Sequence, residues 1–82
     1  MKHFTIKYNM GFFEYDCDYI NTKIEKKRKL FSTVYELQLF PNNKYANKIE
    51  YKSYSDAVKH SAIIFGASKN NENTGEILIE LG

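Results

Sequence analysis

The feature that most constrains the fold is a period of two. From His3 to Tyr8, the side chains of Phe4, Ile6 and Tyr8 fall on one side of an extended chain and those of His3, Thr5 and Lys7 on the other. That is the pattern of a strand with one buried face. The alternation returns between Phe12 and Ile20: Phe13, Tyr15, Cys17 and Tyr19 face one way, and Glu14, Asp16 and Asp18 face the other with Phe12 and Ile20. Asn9-Met10-Gly11 separates the two runs, and its residues tolerate positive φ, so a hairpin is the simplest joining.

A third run, Leu30 to Phe40, places Phe31, Tyr35, Leu37 and Leu39 on one face and Glu36 and Gln38 opposite. Pro41-Asn42-Asn43 ends it, because proline lacks the ladder donor and asparagine favours turns. The polar stretch Asn21–Lys29 between the second and third runs reads as the tip of a longer hairpin. Ile49 and Tyr51 fit a short fourth strand or an extended lead-in to a helix.

The helix is the one segment that changes period. Ser53 with Asp56 three residues on resembles a capping box, with Ser55 as the alternative cap. Tyr54, Ala57, Val58, Ala62 and Phe65 then recur at helical spacing as an apolar face. Gly66 is placed to stop the helix in a left-handed turn, succeeded by a loop over Ala67–Thr74. A final strand, Glu76–Leu81, sets Ile77, Ile79 and Leu81 on one side and Leu78 between glutamates on the other. The order β-β-β-(β)-α-β predicts an α+β fold: a small antiparallel sheet of four to five strands with one helix packed on one face.

At 82 residues the chain is expected to form a single domain, residues 1–82. So short a chain buries only roughly 60–65% of its surface. The seven Tyr and six Phe supply large buriable area, and a homodimer is a second way to gain it.

Several function classes lose support. No run of ~18 apolar residues is present to cross a membrane, so no membrane partner is expected. MKHFTIKYN alternates where a signal peptide needs a continuous apolar stretch, which predicts a cytoplasmic protein. The single cysteine, Cys17, excludes an internal disulfide and disfavours a thiolate metal site. Its neighbours Asp16 and Asp18 also push a thiol pKa away from reactivity. His3 and His60 lie on different elements without a nucleophile and acid at recognisable spacing, and the four glycines form no phosphate loop. A non-enzyme without catalytic residues, metal or cofactor is the expectation.

Charge carries what positive signal there is. The net charge is +2, yet Lys23, Lys26, Lys27, Arg28 and Lys29 concentrate five cations around Glu25, while Glu14, Asp16 and Asp18 form an acidic stripe. If the apolar side of the helix is core, a partner is left with the opposite sheet face, the strand edges and the hairpin tip. The candidate partner-binding residues are therefore Glu14, Asp16, Asp18, Lys26, Lys27 and Arg28, with Tyr19 beside the stripe as the aromatic anchor. The first reading is a protein-binding module directed at a host protein or protein complex. In size and composition it is similar to small phage or mobile-element inhibitors of host defence systems, such as anti-CRISPRs. The alternative is a nucleic-acid binder using the basic 23–29 hairpin. Eleven lysines to one arginine weigh against that alternative, because forked recognition of phosphate or guanine is arginine's strength.

Overall fold

The computed structural model describes residues 1–70 and 75–82. Six strands and one helix run in the order β1 (Lys2–Tyr8), β2 (Gly11–Cys17), β3 (Ile20–Arg28), β4 (Thr33–Pro41), β5 (Asn47–Tyr51), α1 (Tyr54–Asn70) and β6 (Glu76–Glu80). The α+β class with a packed helix holds. The strands divide between two three-stranded sheets, β2-β1-β6 and β3-β4-β5, where a single sheet was expected. One pairing also departs from the antiparallel plan: β6 runs parallel to β1, with Phe4 opposite Ile77 and Ile6 opposite Ile79.

The reason for two sheets lies between Cys17 and Ile20. The second alternating run does not continue to Ile20; β2 ends at Cys17 and β3 begins at Ile20, on the other sheet. Cys17 and Ile20 are both buried, so the chain turns a corner with an apolar side chain on either side of it. Ile20, expected on the acid-bearing face, is core. One apolar cluster then fills the space between the layers: Phe4 and Ile6 from β1, Leu37 and Leu39 from β4, Ile49 and Tyr51 from β5, Ile77 and Ile79 from β6, and Ala57 and Ile64 from the helix.

The basic stretch is not a hairpin tip. Ile20–Arg28 is a strand in continuous antiparallel register with β4, from Ile20 opposite Pro41 to Arg28 opposite Thr33. The reversal itself falls at residues 29–32, where the Lys29 N–H donates to the Ser32 carbonyl at 2.7 Å. Leu30 and Phe31, expected to be strand residues, are the two residues between. The other expected reversals stand: Gly11 carries φ +150°, and Asn42 and Asn43 adopt φ 50° and 65° after Pro41.

The helix corrects the sequence reading twice. Ser53 does cap it, its Oγ accepting the Asp56 N–H at 3.4 Å. The core-facing side, however, is Ala57, Ile64 and Ser68, whereas Tyr54, Val58, Ala62 and Phe65 form an exposed flank beside it. Hydroxyl partners select this rotation. Ser68 Oγ accepts the Ile20 N–H at 2.7 Å, and Ser61 Oγ lies 2.7 Å from Thr22 Oγ1, both on β3. The same bonds explain why Gly66 does not end the helix: Ala67 and Ser68 continue its inner face. The expected loop over Ala67–Thr74 is thus helical as far as Asn70, and the rest of it lies outside the described residues.

Two substitutions check this orientation. Gly66 has no positive φ, and a Cβ built on it meets nothing within 4 Å. Gly66→Ala should therefore stabilise the protein by about 0.5–1 kcal/mol in urea unfolding, whereas a left-handed stop would make the same change destabilising. Ile64→Ala should cost ~2–5 kcal/mol as a core truncation, while Val58→Ala on the flank costs a fraction of that.

Candidate interaction surface

Besides the exposed flank of α1, three surfaces stand out among the described residues once the core is assigned, and the first is the outer face of the β2-β1-β6 sheet. Register places Asp16, His3 and Glu76 in one row across it, Glu14, Thr5 and Leu78 in the next, and Phe12, Lys7 and Glu80 in the third. Glu14 and Asp16 are exposed on this face, as expected for two members of the stripe. Asp18 is not in line with them. It lies beyond the end of β2, where its N–H donates to Asn42 Oδ1 at 3.0 Å and its carboxylate sits 3.8 Å from the Met1 amino group. Tyr19 occupies the corner and is exposed.

His3 bridges the carboxylates of two neighbouring rows. Its Nδ1 is 2.7 Å from Asp16 Oδ1 and its Nε2 is 3.2 Å from Glu14 Oε1. The hydrogen bond to Asp16, then that to Glu14, raises the imidazole pKa above its ordinary value. The stabilisation from this raised group is complete below the unfolded value near 6.5 and is lost as pH rises through the folded value. By contrast the Cys17 thiol is pushed up, first by burial and then by Asp18, which keeps it a thiol at neutral pH. Among the described residues, no group of three His, Cys, Asp or Glu side chains is placed to hold a metal ion.

The second surface is the outer face of the β3-β4-β5 sheet. Here Gln38 Nε2 donates to Glu25 at 2.6 Å and to Glu36 at 3.2 Å, and Lys48 Nζ donates to Glu36 at 2.9 Å. Lys48 holds the Glu36 carboxyl below the usual carboxylate range. These side chains satisfy one another, while Lys23, in the same row as Gln38 and Lys48, is exposed beside them.

The third surface is the β3–β4 arm. The third strand reaches only as far as Tyr51 opposite Tyr35, whose own partner on β3 is Lys26. Beyond that row, Lys27 to Val34 is a two-stranded ribbon with no strand beside it among the described residues. Alternation along the strand sends Lys26 and Arg28 to one side of the ribbon and Lys27 to the other, so sequence correctly located a basic projection but not its shape. Lys27 lies 3.6 Å from Glu25 and Lys29 lies 3.8 Å from Glu50, while Lys23, Lys26 and Arg28 have no carboxylate partner among the described residues. At the end of the arm Leu30 is 88% exposed and Phe31 93%.

Leu30 and Phe31 are the residues that sequence reasoning missed. Neither has positive φ, so the turn is not of the primed type that matches strand twist, and no Gly, Asn or Asp marks it. The cue was present in negative form: the run Lys26–Ser32 holds no strong turn former, yet a reversal must occur before the third apolar strand.

An open cleft of ≈ 980 Å³ lies at the foot of the arm, between the β1–β2 turn, β5 and the first half of α1. In it the Tyr51 hydroxyl is 2.6 Å from His60 Nδ1, and burial pushes the Tyr51 pKa up to about 12, so the phenol stays neutral. No protein-family model matches this chain, and no curated protein or solved structure is significantly similar to it.

The His3 geometry gives a direct check by NMR. The His3 ring should titrate above 6.5, Asp16→Asn should lower that value further than Glu14→Gln, and a wild-type value at or below 6.5 would contradict the bonding described.

Proposed function

We propose that this chain is a non-enzymatic protein-binding module that engages its partner through the β3–β4 arm, with Leu30 and Phe31 as the anchors. The observation that supports this most is the pairing of two costs at one place. Two large apolar side chains stand in water, each forgoing about 1.5–3 kcal/mol of burial, and they do so in a turn that Asn-Gly would form better. Local rules are broken in this way chiefly where function requires it. Around the anchors, Lys26, Lys27, Arg28 and Lys29 supply a basic rim that steers an acidic partner surface and fixes its orientation. Glu14 and Asp16 form a second charged region on the β2-β1-β6 face, with Asp18 and Tyr19 at the corner beyond it. Size and composition support the narrower role of a small phage or mobile-element inhibitor acting on a host protein complex.

A second reading has one observation in its favour. A two-stranded basic ribbon fits a nucleic-acid groove, and an apolar pair at its tip can wedge between bases. Of the five cations from Lys23 to Lys29, only Arg28 carries the forked guanidinium suited to phosphate and guanine, which favours the protein reading.

Affinity capture from nuclease-treated host lysate separates the two. Wild-type protein should retain a specific protein, and Leu30→Ser and Phe31→Ser should each weaken retention by roughly 30-fold, the effect of losing a ~2 kcal/mol anchor. Equal retention by the serine variants would overturn the arm as the site. A gel shift with duplex DNA whose affinity falls steeply with salt, by about 0.9 log units per phosphate contact for each log of salt, would replace the protein reading with the second.

A further inference from the structure

We infer that the arm of one copy docks on the outer face of the β2-β1-β6 sheet of a second copy, head to tail. The inference rests on the proposed reading of Leu30 and Phe31 as anchors and names a surface that complements them.

That face has two exposed apolar side chains of its own, Phe12 at 59% and Leu78 at 56%. They stand on the two outer strands in neighbouring rows, either side of Thr5 and Lys7 of the central strand. Strand spacing of ~4.8 Å and a rise of ~3.4 Å per residue put them about 12 Å apart, room for a two-residue turn between them. Four exposed carboxylates frame the pair, Glu14, Asp16, Glu76 and Glu80, against the single cation Lys7 and the carboxylate-bonded His3. The arm presents the converse: Leu30 and Phe31 follow directly on Lys26, Lys27, Arg28 and Lys29 of the outgoing side, while Ser32, Thr33 and Val34 of the returning side carry no charge. An apolar pair with cations along one side thus meets an apolar pair bordered by carboxylates, and both surfaces are carried by every molecule.

Because arm and face are different surfaces, the contact is heterologous. Each added copy keeps one free arm and one free face, so assembly continues past the dimer unless it closes into a ring. The contact is small, with charge as its main source of orientation, so it should be weak and sensitive to salt.

Sedimentation equilibrium of the purified chain, from micromolar to millimolar concentration, tests this. The weight-average mass should rise from 9.7 kDa past that of a dimer and fall back when salt is raised from about 0.1 M to about 1 M, where the screening length shrinks from ~10 to ~3 Å. L30S/F31S and E14K/D16K should each be monomeric alone. Their equimolar mixture should form a one-to-one dimer and nothing larger, since it contains one intact arm surface and one intact face surface. Circular dichroism reports whether each variant is folded, and L78S, which leaves the carboxylates and their bonds to His3 in place, provides a second face variant with at least a tenfold weaker association expected. A wild-type chain that stays at 9.7 kDa at millimolar concentration would overturn the inference, as would a salt-insensitive dimer that grows no further or a variant mixture that stays monomeric. If the wild-type chain stays monomeric while its arm still captures a foreign protein and the serine variants do not, self-docking fails and the proposed function stands.

Discussion

The architecture depends on one buried hydrogen bond at the corner where the chain changes sheets. Ile20 opens β3 at the edge of its sheet with its N–H directed at the helix, and burial denies that group water. Ser68, itself only 2% exposed, accepts it at 2.7 Å. Leaving such a donor unpaired costs about 1–3 kcal/mol, a sizeable share of the stability of a chain this small. Several other features depend on that bond. The helix must run through Gly66 to deliver Ser68. Its rotation is set so that Ser61, about two turns earlier, meets Thr22, and this rotation turns Tyr54, Val58 and Phe65 outward.

The two sheets differ in how their outer faces are satisfied. In the β3-β4-β5 sheet, Glu25, Glu36, Gln38 and Lys48 bond to one another, which leaves little for a partner to claim. In the β2-β1-β6 sheet His3 ties two carboxylates, whereas Phe12, Leu78, Glu76 and Glu80 face solvent without such partners among the described residues. Interfaces draw affinity from central apolar side chains and direction from surrounding charge. By that measure the β3-β4-β5 face is structural, and the β2-β1-β6 face and the arm carry the groups on which the proposed binding rests.

Much of this was legible in residue order. Period-two alternation located β1 and most of β2 and β4, and Asn9-Met10-Gly11 and Pro41-Asn42-Asn43 marked real reversals because their backbone preferences are local. Glu14 and Asp16 were placed outward correctly for the same reason: alternation on one strand needs no knowledge of its neighbours. Asp18 fell off the stripe because β2 stops one residue before it, at a corner made by the burial of Cys17 and Ile20 together.

Residue order therefore suffices for whatever one strand, turn or cap settles locally: most of the extended segments, two of the reversals, a Ser53-capped helix, an acidic strand face and a basic projection. Tertiary structure alone decided the division into two sheets, the parallel seating of β6 on β1, the side of α1 that is core and the exposure of Leu30 and Phe31. Each of these depends on which distant group satisfies a buried polar atom or covers an apolar one. The apolar spacing of Tyr54, Val58, Ala62 and Phe65 was as regular as that of a buried face, but a helix can bury only the side its neighbours can bond and fill. Here that side is the one carrying Ser61, Ile64 and Ser68.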